Sequence, residues 1–81
     1  MMIPVTSPEE LGRVLKMRRK ELNLTQIEAG KKFNLTQKTV SNIENGRPGV
    51  QLDTLFRLMS ALNLEIHLQP RDMPYKGEAP W

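Results

Sequence analysis

Leucine, valine and isoleucine recur at helical spacing through most of the chain, then switch to strict alternation near residue 64. The first run is Leu11, Val14, Leu15 and Leu22, with Arg13, Lys16 and Lys20 on the wet side. Just before it stands Ser7-Pro8-Glu9-Glu10: a capping serine, a proline suited to the first helical position, and a glutamate three residues after the cap. This pattern predicts a helix that opens with a capping box and ends at Asn23, where asparagine tolerates a left-handed backbone. Thr25-Gln26-Ile27-Glu28 repeats the capping logic and predicts a short second helix over about 26–33. Thr36 opens a third, over about 37–45, with Val40 and Ile43 three apart on one face. Asn45-Gly46-Arg47-Pro48-Gly49 is a stop and a turn. Leu52, Leu55, Leu58, Met59 and Leu62 describe a fourth, amphipathic helix over about 52–62.

Leu64-Glu65-Ile66-His67-Leu68-Gln69 alternates apolar and polar residues, the period of a half-buried strand. A lone strand cannot satisfy its own backbone groups, and pairing with the same strand of a second copy is the simplest solution. Leu64, Ile66 and Leu68 are therefore the expected inward residues of a dimer strand across a two-fold axis. The alternative is that they pack on their own helices as a monomeric extension. From Pro70 the chain loses all periodicity and reads as a flexible tail, with Trp81 its last residue. The expected organisation is a helical domain with its strand over 1–69 and a tail over 70–81.

Composition narrows the possible functions. At 81 residues the chain is one domain at most. A chain this short buries only about 60% of its unfolded surface. It has no cysteine and one histidine, so neither disulfides nor a structural zinc site can supplement its core. Dimerisation is the support left. No metal and no cofactor are expected, and no nucleophile with a base, metal cluster or phosphate loop points to an enzyme. His67 reads as an ordinary strand residue and the five methionines as core or terminus residues. The N-terminus lacks a secretory pattern and no apolar run approaches the ~20 residues of a membrane span, so a cytoplasmic location is expected.

The net charge of +3 is weak evidence for a polyanionic partner, but its distribution is more telling. Lys31, Lys32, Lys38 and Arg47 fall between residues 31 and 49, with Glu44 the only acid there. They surround the third helix, where phosphate neutralisation would need them. Two short capped helices joined by about three residues form a helix-turn-helix pattern. Ala29 and Gly30 are small enough for the two helices to approach closely, and Asn34 supplies the left-handed turn. With Val40 and Ile43 inward, the third helix exposes Gln37, Lys38, Ser41, Asn42 and Asn45. Asparagine and glutamine bond adenine edges in two places, lysine donates to guanine, and serine reads either base. An ordinary solvent face would more often carry Glu–Lys pairs, although a merely solvated polar face is the alternative.

These residues make the chain familiar. Leu24 to Gly46, LTQIEAGKKFNLTQKTVSNIENG, closely resembles the Xre/phage-repressor family, whose pattern is roughly LTQxELAxxxGVSxxTISxxExG. The resemblance implies a lambda-repressor-like, all-α domain of four to five helices, here with one short C-terminal β-strand pairing across a dimer. It implies that Gln26 grips a phosphate and that bases are read from Thr36, Gln37, Lys38, Ser41 and Asn42. Asn45 and Arg47 are the further expected phosphate contacts. The resemblance also implies a structural ion pair between Arg19 and Glu44, with a phosphate contact as the alternative role of Arg19. The chain departs from the pattern at Ala29, Gly30 and Asn34, where Leu, Ala and Gly are usual. The glycine alone weakens the second helix by roughly 1 kcal/mol.

A narrower resemblance covers almost the whole chain. The helix after an SPEEL start, the helix-turn-helix, QLDTLFRLMSALNL, a strand and a tail are similar to the HipB-type antitoxins. That resemblance implies a homodimer that represses its own operon by binding operator DNA and also binds a HipA-type serine/threonine kinase toxin. Trp81 would then be an anchor on the toxin, the alternative being a plain chain end. A stand-alone Xre-family regulator without a toxin is the other function left open.

Overall fold

The computed structural model describes residues 3–72. Among them the chain forms four helices, α1 (Pro8–Glu21), α2 (Gln26–Lys31), α3 (Gln37–Glu44) and α4 (Leu52–Ala61). The expected four to five helices are thus four. None of these helices is long and apolar enough to cross a membrane.

Side-chain oxygens start three of the helices. The Ser7 hydroxyl accepts the Glu10 amide at 3.1 Å, and the Thr36 hydroxyl accepts the Thr39 amide at 3.1 Å. At α2 the capping box is complete: Thr25 Oγ1 accepts the Glu28 amide at 3.1 Å and Glu28 Oε1 accepts the Thr25 amide at 2.9 Å. The box expected at α1 is only half made. Glu10 Oε1 instead accepts the hydroxyls of Thr6 (2.9 Å) and Ser7 (3.2 Å), two donors that leave the Ser7 amide aside.

All four helices end in the same motif. Asn23, Asn34, Gly46 and Asn63 adopt left-handed φ values of 57°, 59°, 69° and 55°. The amide of the residue after each one reaches back to an orphan carbonyl, Leu24 to Arg19, Leu35 to Gly30, Arg47 to Asn42 and Leu64 to Met59, at 2.9–3.1 Å. At α2 this closing turn tightens, with Phe33 N–H on Gly30 O at 3.2 Å, so the regular helix stops at Lys31 rather than 33.

Leu15, Val40, Leu58 and Leu62 are fully buried, with Ala29, Leu35, Ile43 and Met59 around them and Phe33, Leu55 and Leu64 at the margin. Helix α3 packs against both α1 and α2, and α4 closes on α2. The close fit of α2 needs its small residues: a Cβ on Gly30 would stand 2.4 Å from the Leu35 carbonyl oxygen. Two arginine side chains fasten the helix ends, Arg18 Nε donating to Leu62 O at 3.0 Å and Arg57 Nη1 to Phe33 O at 3.4 Å. Met59 lies in the core as expected of the methionines, but Met17 is about half exposed on the outer side of α1.

The strand expected over 64–69 is not formed. There is no strand among the described residues. The Leu64 amide closes the end of α4, and no backbone bond among the described residues engages 65–69. The physical reason is that an extended segment becomes a strand only with a ladder partner, and no other described residues offer one. Leu64 still packs on the core, whereas Ile66 and Leu68 remain exposed.

Candidate nucleic-acid interface

Helices α2 and α3 meet through the turn at Asn34, and α3 turns Val40, Ile43 and Glu44 inward. That leaves Thr36, Gln37 and Lys38 exposed at its start, with Ser41 and Asn42 half-buried one turn on. Asn45 and Arg47 are exposed where the chain leaves α3, and Gln26 is half-buried at the start of α2. Lys38 and Arg47 enter no ion pair among the described residues. Lys31 and Lys32 are exposed at the end of α2. The expected reading and phosphate residues therefore sit on two adjoining helix starts and the loop after α3.

Several of these side chains also serve the fold. The Thr36 hydroxyl caps α3 and donates to Thr39 Oγ1 at 3.0 Å. Asn45 Nδ2 makes a long bond of 3.4 Å to Ser41 Oγ, while its backbone amide bonds the Ser41 carbonyl.

A line of hydrogen bonds runs from the core to this surface. Arg19 and Glu44 are both buried. Arg19 Nε lies 2.6 Å from Glu44 Oε2 and Nη2 lies 3.1 Å from Oε1, while Nη1 donates to Leu24 O at 2.8 Å. The hydrogen bond to Glu44 raises the pKa of the Arg19 guanidinium against the opposing effect of burial. Gln26 Nε2 donates to Glu44 Oε1 at 3.1 Å, and Gln37 Nε2 donates to Gln26 Oε1 at 3.4 Å.

This line fixes the amide orientations. A carboxylate only accepts, so Gln26 must turn its nitrogen to Glu44 and its oxygen to Gln37. Gln37 then keeps one N–H and its carbonyl oxygen for an outside partner. A donor beside an acceptor is the pattern that matches the adenine edge in a major groove. The sequence reading assigned Gln26 to a phosphate and Glu44 to Arg19, and missed the bond between them. No spacing rule could have found it, because the two residues belong to helices that meet only in three dimensions.

Trp81 and the rest of 73–81 lie outside the described residues. Leu64, Ile66 and Leu68 stand apart from the reading residues, on the segment after α4.

Comparison with known proteins agrees with this geometry. A helix-turn-helix family model matches residues 15–68. Over 64 residues the chain is 34% identical to the antitoxin HipB of Escherichia coli K12, covering 79% of this chain and 73% of that protein. It is 35% identical over 60 residues to the ImmF control region 10 kDa protein of Bacillus phage phi105, covering 74% of this chain and 67% of that one. A chain of the solved HipA-HipB-O2-O3 complex matches with a TM-score of 0.82 at 31% identity, covering 88% of this chain and 100% of the other. The chain belongs to the helix-turn-helix family, in the branch that holds the HipB antitoxins.

Proposed function

We propose that this chain is a sequence-specific DNA-binding repressor acting in the cytoplasm as the antitoxin of a toxin–antitoxin module. It represses its own operon and binds a HipA-type serine/threonine kinase, and it works by binding rather than by catalysis. The observation that carries the DNA-binding half is the line from Arg19 through Glu44 and Gln26 to Gln37, which orients the first side chain of α3. The toxin-binding half is supported by the likeness to HipB and to a chain of a HipA-HipB-O2-O3 complex.

In this reading α3 enters the major groove, and a dimer sets its two copies on half-sites about one helical turn apart. Gln37, Lys38, Ser41 and Asn42 read base edges, with Thr36 at the helix start beside them. Gln26, Asn45 and Arg47 hold phosphates, and Arg19 with Glu44 fixes α1 against α3. The second copy supplies the missing ladder for 64–69, with Leu64, Ile66 and Leu68 turned inward. Trp81 is assigned to the toxin contact, since a tryptophan fills a pocket with much apolar area at little entropic cost.

A stand-alone regulator is the second reading, and the phage control-region relative favours it. Purification of the tagged chain from its native host, with mass spectrometry of what co-purifies, separates the two. A stoichiometric HipA-like kinase supports the antitoxin, and the Trp81→Ala variant should then lose kinase affinity while keeping operator affinity. Recovery of only nucleic acid and the chain itself would favour the stand-alone regulator.

A further inference from the structure

Leu64-Glu65-Ile66-His67-Leu68 is chemically complementary to its own reverse: apolar, acid, apolar, base, apolar about Ile66. In the structure His67 Nε2 lies 2.6 Å from Glu65 Oε2, so these two side chains stand on one side of the backbone. Leu64 lies against the core. Ile66 is 43% and Leu68 71% exposed, and the Glu65 and His67 side chains are exposed as well. The segment is bounded by the left-handed Asn63 at one end and by Pro70, which has no amide to donate, at the other.

We propose that two copies of this segment pair antiparallel in a single register, with Ile66 opposite Ile66, Leu64 opposite Leu68, and Glu65 opposite His67. The proposal rests on the dimeric reading above and names what selects the partner: two acid–imidazole pairs, one on each side of the two-fold axis. A slip of one residue sets apolar side chains against polar ones. A slip of two keeps the faces but either puts Glu65 against Glu65, whose like charges destabilise a sheet, or puts His67 against His67, which leaves both acids without an imidazole opposite. Only the register centred on Ile66 joins each acid to an imidazole while matching apolar to apolar.

Because the chain has no cysteine, single-cysteine variants report the register directly. Directly opposite residues stand about 4.5–5.5 Å apart between Cα atoms, within disulfide reach, and a two-residue offset exceeds the limit of roughly 7 Å. On mild oxidation Ile66→Cys should form a covalent dimer. Glu65→Cys and His67→Cys should each fail alone and cross-link when mixed. Self-cross-linking of Glu65→Cys or His67→Cys overturns the register. No cross-link at any of the three, with the unsubstituted chain still sedimenting as a dimer, shows that another surface holds the copies together. A monomer at roughly tens of micromolar removes the dimeric reading itself. As a second arm, His67→Glu should weaken dimerisation about tenfold and Glu65→Lys with His67→Glu should restore it. An unchanged dissociation constant for His67→Glu contradicts the pairing.

Discussion

Arg19 of α1 closes a two-pronged ion pair on Glu44 at the end of α3, with Nε 2.6 Å from Oε2 and Nη2 3.1 Å from Oε1. Both side chains are almost out of water, at 10% and 2% exposure. Breaking such a pair leaves a buried charge without a partner, which is far worse than losing an exposed pair. Arg19→Ala should therefore destabilise the domain by about 3–5 kcal/mol, measured by urea unfolding. Disrupting the i,i+3 pair of Arg18 with Glu21 at the surface, through Glu21→Ala, should change stability by less than about 1 kcal/mol. Equal losses would mean that the buried pair is not what fixes α1 to α3.

Helix α1 approaches α3 at Gly12. A Cβ built there would lie 2.4 Å from the Glu44 carbonyl oxygen and 2.7 Å from that of Ile43. In an open helix, alanine in place of glycine would add up to about 1 kcal/mol of stability. Against rigid backbone oxygens the sign reverses, and Gly12→Ala should lower stability by about 1–3 kcal/mol. A thermal midpoint equal to or above that of the unsubstituted chain would show that the two helices can separate at little cost.

Gln37 and Arg47 should fail differently on DNA. In the proposed function Gln37 offers its free N–H and carbonyl to a base edge, so Gln37→Ala should cost about 1–3 kcal/mol and relax preference at one operator position. Arg47→Ala removes an exposed charge, so it should weaken binding evenly across sequences and reduce the salt slope by about 1. Binding-site selection and salt titration of both variants check this. Even weakening by Gln37→Ala would reduce that residue to a backbone contact.

Acid should loosen the helix starts. The Thr25 backbone amide, with the Thr25 hydroxyl, holds the Glu28 carboxyl below its usual 4.5. The hydroxyls of Thr6 and Ser7 do the same for Glu10. A carboxyl whose folded pKa is depressed stabilises the fold fully above its unfolded value, and that contribution fades as pH falls through the lowered folded value. The thermal midpoint should thus decline below pH 4.5, and Glu10→Gln with Glu28→Gln should flatten the decline. An identical slope in both proteins would remove the caps from the explanation.

The helix starts and two of the asparagine ends were legible because caps and left-handed turns are local chemistry. Asn63 ends α4 as Asn23 ends α1, yet the alternating run beside it drew attention to a strand instead. Gly12 sits mid-helix where glycine is costly, and that oddity was the available sign of a close approach. The Gln26–Glu44 bond and the reach of Arg18 to Leu62 left no sign, since each joins helices distant in sequence. The alternating run predicted a strand that is not formed, because a strand is a property of two segments and the described residues carry only one of them.

The most direct test is a footprint of the purified chain on the DNA upstream of its own coding sequence, at fixed physiological salt. The proposed function predicts two protected half-sites about one helical turn apart, lost on Gln37→Ala at concentrations that protect fully with the unsubstituted chain. Protection no tighter than on unrelated DNA at the same salt would contradict it.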